Sequence, residues 1–324
     1  MYIESDEFSG RPIAADAYPV IAAFREAGGL AFHNFSIDEV RSRYVSSCES
    51  APLNEEYNPV QSDFTVGQFQ VRLYDPRSDI HSEEATPVVL FIHGGGWVMG
   101  NLRTHHSAAQ RIATRTGFPV VAVDYRLAPE HPYPAAIDDS RAALKWILDS
   151  KQPHKLNVSA LSIIGDSAGG QLAAVLTNEF HQTAPIKSQV LLYPVTDLRD
   201  ENLATSESYQ RITDGFPLVA KTMEWFADTY VERGVIRENP DLSPQCAKID
   251  HRLPSTLIIT VDNDPLADEG ARYADKLRTA GVTVQYEHLI GYAHGLFTSA
   301  GKIQTGERYL NRAADFISSE FQEA

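Results

Sequence analysis

From Pro87 onward the chain alternates unbroken apolar runs with stretches whose apolar residues recur at helical spacing. "PVVLFIH", "PVVAVDY", "LSIIG", "SQVLLYP" and "STLIITV" are continuous apolar segments bounded by turn residues, the pattern of strands buried on both faces of a sheet. "VTVQYEHL" adds a last strand. Between them, "HHSAAQRIATRTG", "AAIDDSRAALKWILDS", "GQLAAVLTNEFHQ" and "DEGARYADKLRTAG" carry the spacing of amphipathic helices, and "GERYLNRAADFISSEF" closes with another. Such alternation predicts the α/β class, a mainly parallel sheet covered by helices.

Two regions break the rhythm. "FTVGQFQVRLYDP" alternates Phe69, Val71 and Leu73 with polar residues, which predicts half-buried antiparallel strands feeding the sheet edge. Upstream lie two helical segments, the second opened by a Ser36 to Glu39 capping box. The other break, Asp197 to Gly234, is mostly helical where a simple crossover is expected. Together, about residues 1–55 and 197–240 are expected to form a helical cap over one end of the sheet. The catalytic core of this single domain is then about 56–196 and 241–324.

Composition narrows the function. With 43% hydrophobic residues the chain can bury a full core. The 43 acidic against 28 basic residues leave a net charge of −15, which disfavours nucleic acid and anionic membranes as partners. Cys48 and Cys246 have no paired spacing, so neither a disulfide framework nor a zinc site is expected. "MYIESDEFSG" is acidic without an apolar signal core, and no run of 18 apolar residues occurs. A soluble, cytoplasmic protein is therefore expected. The "VTVQYEHL" strand, if it lies at a sheet edge, could pair two copies into a homodimer.

The chemistry centres on "LSIIGDSAGGQLAAV", where Gly165-Asp166-Ser167-Ala168-Gly169 follows a strand and opens a helix. This is the context that makes G-x-S-x-G a nucleophile elbow, although a glycine-rich turn binding an anion at a helix N-terminus reads the same locally. Upstream, "FIHGGGW" offers three glycines whose N–H groups can turn into a cavity. A tetrahedral oxyanion needs such donors. Gly95 and Gly96 are assigned to it with Ala168, and Gly94 is the fallback. A serine also needs a base and an orienting carboxylate, which in this fold follow in the order Ser, acid, His. "DNDPLADEG" supplies Asp264, with Asp262 as runner-up, although Asp before Pro265 is also ordinary helix-capping chemistry. His294, in "YAHGLF", stands after the last strand. No HExxH-like spacing suggests zinc.

With "HGGGW", "DYRLAPEHPYPAAIDD", "GDSAGG", "DPLADEG" and "AHG" together, the chain resembles the hormone-sensitive-lipase-like family of α/β-hydrolase esterases, including bacterial acetyl esterases. The resemblance implies an α/β-hydrolase fold with a helical cap, Ser167 as nucleophile, Asp264 as acid and His294 as base. Tyr125, Arg126 and Glu130 of "DYRLAPE" are expected to brace loops. "HGLF" departs from the His-Gly-Phe of many members, which touches the acyl-pocket wall rather than the triad. The expected activity is cofactor-free, metal-free hydrolysis of short-chain acyl esters. Trp97, Tyr209, Phe216 and Met223, with Trp225 and Phe226, are offered as pocket lining, though aromatics at helical spacing also build cores. The alternatives are an amidase or arylacetamide-type deacetylase, which uses the same triad, and a binding protein of this fold that has lost its base.

Overall fold

A computed structural model of the chain describes residues 2–3, 10–53, 58–80, 82, 84–149, 151, 153 and 155–322. Of the expected cap, residues 1, 4–9, 54 and 55 thus lie outside the described residues. The chain opens with a two-stranded ribbon, β1 (Tyr2–Ile3) and β2 (Ile13–Ala14), then α1 (Tyr18–Glu26) and α2 (Ile37–Glu49). The expected capping box is formed: the Ser36 N–H donates to Glu39 Oε2 at 3.0 Å, and the Ser36 hydroxyl accepts from the Glu39 N–H at 3.4 Å.

The core follows as β3 (Val60–Val66), β4 (Phe69–Asp75), β5 (Ala85–Ile92), α3 (His106–Thr116), β6 (Val120–Asp124), α4 (Ala135–Leu148), β7 (Asn157–Asp166), α5 (Ala168–Phe180) and β8 (Ile186–Leu192). After the insertion of α6 (Asp200–Thr205), α7 (Glu207–Arg211) and α8 (Ala220–Tyr230) come β9 (Ser255–Asn263), α9 (Ala267–Thr279), β10 (Val284–Ala293) and α10 (Gln304–Gln322). The eight core strands form one sheet in the order β10-β9-β8-β7-β5-β6-β4-β3. β3 and β4 pair antiparallel at one edge and β4 joins β6 antiparallel, while every other pairing is parallel.

This is the α/β-hydrolase fold. Its central strands read as unbroken apolar runs because helices cover both faces, and Val88–Ile92, Ile163 and Ile164 are essentially inaccessible. The Phe69, Val71, Leu73 alternation is one buried face of β4. Gly117, in a left-handed conformation with φ 72°, ends α3.

The sequence understated β10. It continues past Leu289 through an irregularity, where the Asp262 carboxylate accepts the Gly291 N–H at 3.3 Å, and pairs again at Ala293. His294 therefore stands directly after the strand. The mostly helical insertion divides into three short helices: α6 and α7 part at the extended Ser206, and α7 and α8 are separated around Gly215, at φ 72°, and Pro217. The N-terminal segment and the insertion meet: Phe32 N–H donates to Pro217 O at 3.3 Å, His33 Nδ1 lies 2.8 Å from Thr222 Oγ1, and Arg25 Nε donates to Gly215 O at 3.1 Å. Among the described residues no helix is long and apolar enough to cross a membrane.

Candidate active site

Ser167 sits between β7 and α5 with φ 55° and ψ −120°, a backbone conformation that costs a non-glycine residue about 1–3 kcal/mol. Close packing on both sides enforces it. A Cβ on Gly169 would lie 2.1 Å from the Ile92 carbonyl oxygen, and one on Gly165 would lie 2.2 Å from that of Gly169. Only glycines let α5 approach β5 this tightly.

Around this elbow three side chains from separate elements come together. His294 Nε2 lies 3.0 Å from Ser167 Oγ, and His294 Nδ1 lies 2.7 Å from Asp264 Oδ2. One tautomer satisfies both contacts, with Nδ1–H donating to the carboxylate and Nε2 accepting the serine hydroxyl. Asp264 is inaccessible and the His294 side chain 12% exposed, so solvent reaches the imidazole but not the carboxylate. The other oxygen of Asp264 accepts the Leu266 N–H at 2.9 Å. That contact closes a turn before α9, whose N-cap is Leu266 with no side-chain cap, so Asp264 pairs with the histidine without capping the helix.

The runner-up, Asp262, faces elsewhere. Arg11 Nη1 approaches its Oδ1 at 3.1 Å without hydrogen-bond alignment, and His288 Nε2 lies 3.5 Å away. Tyr193, which sequence reasoning did not single out, packs its ring 4.2 Å from that of His294. Its position at the end of a strand carries no local signal of this contact.

The glycine loop after β5 faces the elbow. Gly95 and Gly96 adopt φ 120° and 60°, and among the described residues no protein acceptor takes the N–H groups of Gly95, Gly96 or Ala168. Gly94, the fallback, is committed: its N–H donates to Asp166 Oδ1 at 2.8 Å. His93 packs face to face on Tyr125 at 4.2 Å, and the Tyr125 hydroxyl donates to His93 O at 2.8 Å. Burial, with the charge of neighbouring His105, pushes His93 down to about 3. Arg126 pairs with Asp139 and Glu130 with Arg41, so the "DYRLAPE" residues brace loops.

The aromatic candidates have packing partners. Trp97 stacks on Tyr230 at 4.6 Å and donates its indole N–H to Gln171 at 3.1 Å. Tyr209 donates its hydroxyl to Glu269 at 3.2 Å, Phe216 lies under the Arg25 guanidinium at 5.1 Å, and Met223 is buried in the main apolar cluster. Phe226 is the side chain pressed on the glycine loop: a Cβ on Gly96 would lie 2.3 Å from its ring. Among the described residues no group of three His, Cys, Asp or Glu side chains could hold a metal ion.

The family model for the alpha/beta hydrolase fold matches residues 89–298. The chain belongs to this α/β-hydrolase family. Within it, the chain is 32% identical to an ethyl acetate hydrolase of Pseudomonas putida over 92% of its own length and 95% of that protein. It is 35% identical to the esterase LipI of Mycobacterium tuberculosis, covering 85% of this chain and 86% of the relative. Among solved structures, an α/β-hydrolase enzyme from the metagenome of Lake Arreo, Spain superposes with a TM-score of 0.86 at 30% identity, over 96% of this chain and 99% of that one. A hyperthermophilic esterase from the archaeon Pyrobaculum calidifontis superposes at 0.82, also at 30% identity, over 95% and 98%. The relatives bear out membership of the hormone-sensitive-lipase-like esterases.

Proposed function

We propose that this α/β-hydrolase cleaves carboxylic esters of short acyl chains through an acyl-enzyme on Ser167. The observation that carries the reading is the connected line of Ser167 Oγ, His294 and Asp264, with contacts of 3.0 and 2.7 Å. His294 Nε2 takes the serine proton as Oγ attacks the ester carbonyl. The N–H groups of Gly95, Gly96 and Ala168 hold the developing oxyanion. His294 then gives its proton to the leaving alcohol. Water, deprotonated by the same nitrogen, releases the acid. Asp264 orients the imidazole and stabilises its charged form without itself taking the proton.

The short-chain preference rests on Phe226 at the oxyanion loop and on the nearly closed nucleophile, with Ser167 only 6% exposed. The N-terminal helices and the 197–240 insertion, which contact each other, serve as the cap of a single domain. Rates for p-nitrophenyl esters of increasing acyl length, beside a matched anilide, test the reading. We expect a maximum at acetyl to butyryl and little anilide cleavage. A maximum at long chains, or equal anilide turnover, would replace it.

A further inference from the structure

The reading above leaves a geometric problem. Two oxyanion donors belong to a loop of three consecutive glycines after β5, while the third, on Ala168, belongs to the elbow after β7. A glycine run is the most freely moving backbone available, yet such donors act only when fixed before charge develops.

One side chain spans the two halves. Asp166 immediately precedes Ser167, and its Oδ1 accepts the N–H of Gly94, the residue before Gly95, at 2.8 Å. The carboxylate is 3% exposed and is closed on its other side by His105, whose Nε2 lies 3.2 Å from each carboxylate oxygen. His105 is held in turn, with its Nδ1 2.8 Å from Thr104 Oγ1. The loop has shaped itself to this carboxylate. Gly94 lacks the positive φ of its two successors, but a Cβ there would lie 2.5 Å from Asp166 Oδ2 and 2.7 Å from its main-chain oxygen. Residue 94 is therefore glycine to admit Asp166.

We infer that Asp166 is a positioning residue, which locks the glycine loop to the nucleophile elbow so that the donors of Gly95, Gly96 and Ala168 share one focus. His105 is its side-chain partner. Burial drives the carboxyl upward, but His105 and the Gly94 N–H outweigh it and keep Asp166 below the ordinary carboxylate range, so the anion that grips the loop is present throughout the neutral range. The inference rests on the proposed hydrolase reading.

The test compares wild type with Asp166→Ala, Asp166→Leu and Asp166→Asn. Ester turnover is normalised to sites counted by exhaustive labelling with a fluorophosphonate, and inhibition by a trifluoromethyl ketone, which forms a tetrahedral adduct, is measured alongside. The two variants without an acceptor should lose about 100-fold in kcat, with KM within about threefold and ketone affinity falling in step with kcat/KM. Asp166→Asn keeps an acceptor oxygen for Gly94 and should recover most of that loss. Leu shares the branched skeleton of Asn without its polar atoms, so it stands in if the Ala variant does not fold. A merely structural role would lower the melting temperature and leave kcat per labelled site unchanged, which overturns the inference alone. Wild-type protein unlabelled at Ser167 and inactive on esters would overturn the hydrolase reading and the inference with it.

Discussion

Asp262 and Asp264 lie two residues apart at the end of β9 and are both inaccessible, yet they face different partners. Asp264 reaches His294, while Asp262 holds the Gly291 N–H and stands beside Arg11. The proposed mechanism therefore predicts that Asp264→Asn lowers kcat by about 10⁴-fold, the cost of a wrongly oriented imidazole. Asp262→Asn should stay within about tenfold and show its effect in the melting temperature instead. Equal losses of kcat in the two variants would contradict this division. Ser167, Asp264 and His294 were legible because each belongs to a short motif whose chain order is fixed by the fold. Asp166 was not, because it fills the free position of G-x-S-x-G and its partners Gly94 and His105 are 72 and 61 residues away. Trp97, in the glycine loop, and Tyr209, on α7, mark the opposite limit: an aromatic has the same sequence appearance whether it faces a pocket or packs on Tyr230 or Glu269.

The same distinction between local and distant causes governs the elements. Helix α5 approaches β5 only through Gly169, so Gly169→Ala forces a methyl group against the Ile92 and His93 carbonyls, at 2.1 and 2.5 Å. Backbone on both sides leaves no flexible end to move aside. We expect a loss of about 3 kcal/mol in chemical denaturation, at the upper end of overpacking costs. Gly117→Ala, whose added methyl group would meet no atom within 4 Å, should show only the smaller strain of its φ 72°. Similar losses at both positions would refute the packing explanation. Helix α8 acts through Phe226 on Gly96. On the proposed short-chain reading, Phe226→Ala should move the acyl-length maximum toward longer esters, measured as the ratio of hexanoate to acetate kcat/KM. An unchanged ratio would remove Phe226 from the pocket wall. The strands were legible as apolar runs; within 197–234 the break at Gly215 and Pro217 carries a local signal, whereas the one at Ser206 carries neither glycine nor proline.

Across the whole molecule, Glu269 and His93 are two of the buried groups that shape stability against pH. Burial pushes Glu269 up to about 8, even though it accepts the Thr196 N–H and the Asn202 amide, each at 2.7 Å. Between its ordinary 4.5 and 8 the folded chain keeps a proton that the unfolded chain has lost, so this contribution weakens as pH rises. His93, at about 3 against an ordinary 6.5, works in the other direction: the unfolded chain takes a proton that the folded one refuses, and stability falls as pH drops through that window. The opposing slopes cancel between 4.5 and 6.5. These two groups therefore give a plateau there, with limbs approaching about 1.4 kcal/mol per pH unit on either side. Glu269→Gln should flatten the limb above pH 6.5 in urea denaturation, and an unaltered limb would contradict the assignment. Neither shift was legible in the sequence, since each arises from contacts among distant segments.

On the proposed mechanism, Ser167, activated by His294, attacks an acyl carbonyl. The most direct measurement is p-nitrophenyl acetate turnover by wild type and Ser167→Ala, with fluorophosphonate labelling mapped by mass spectrometry. We expect wild-type turnover, a label on Ser167, and both lost in a folded variant. Turnover that survives in Ser167→Ala, or a label on another residue, would contradict it.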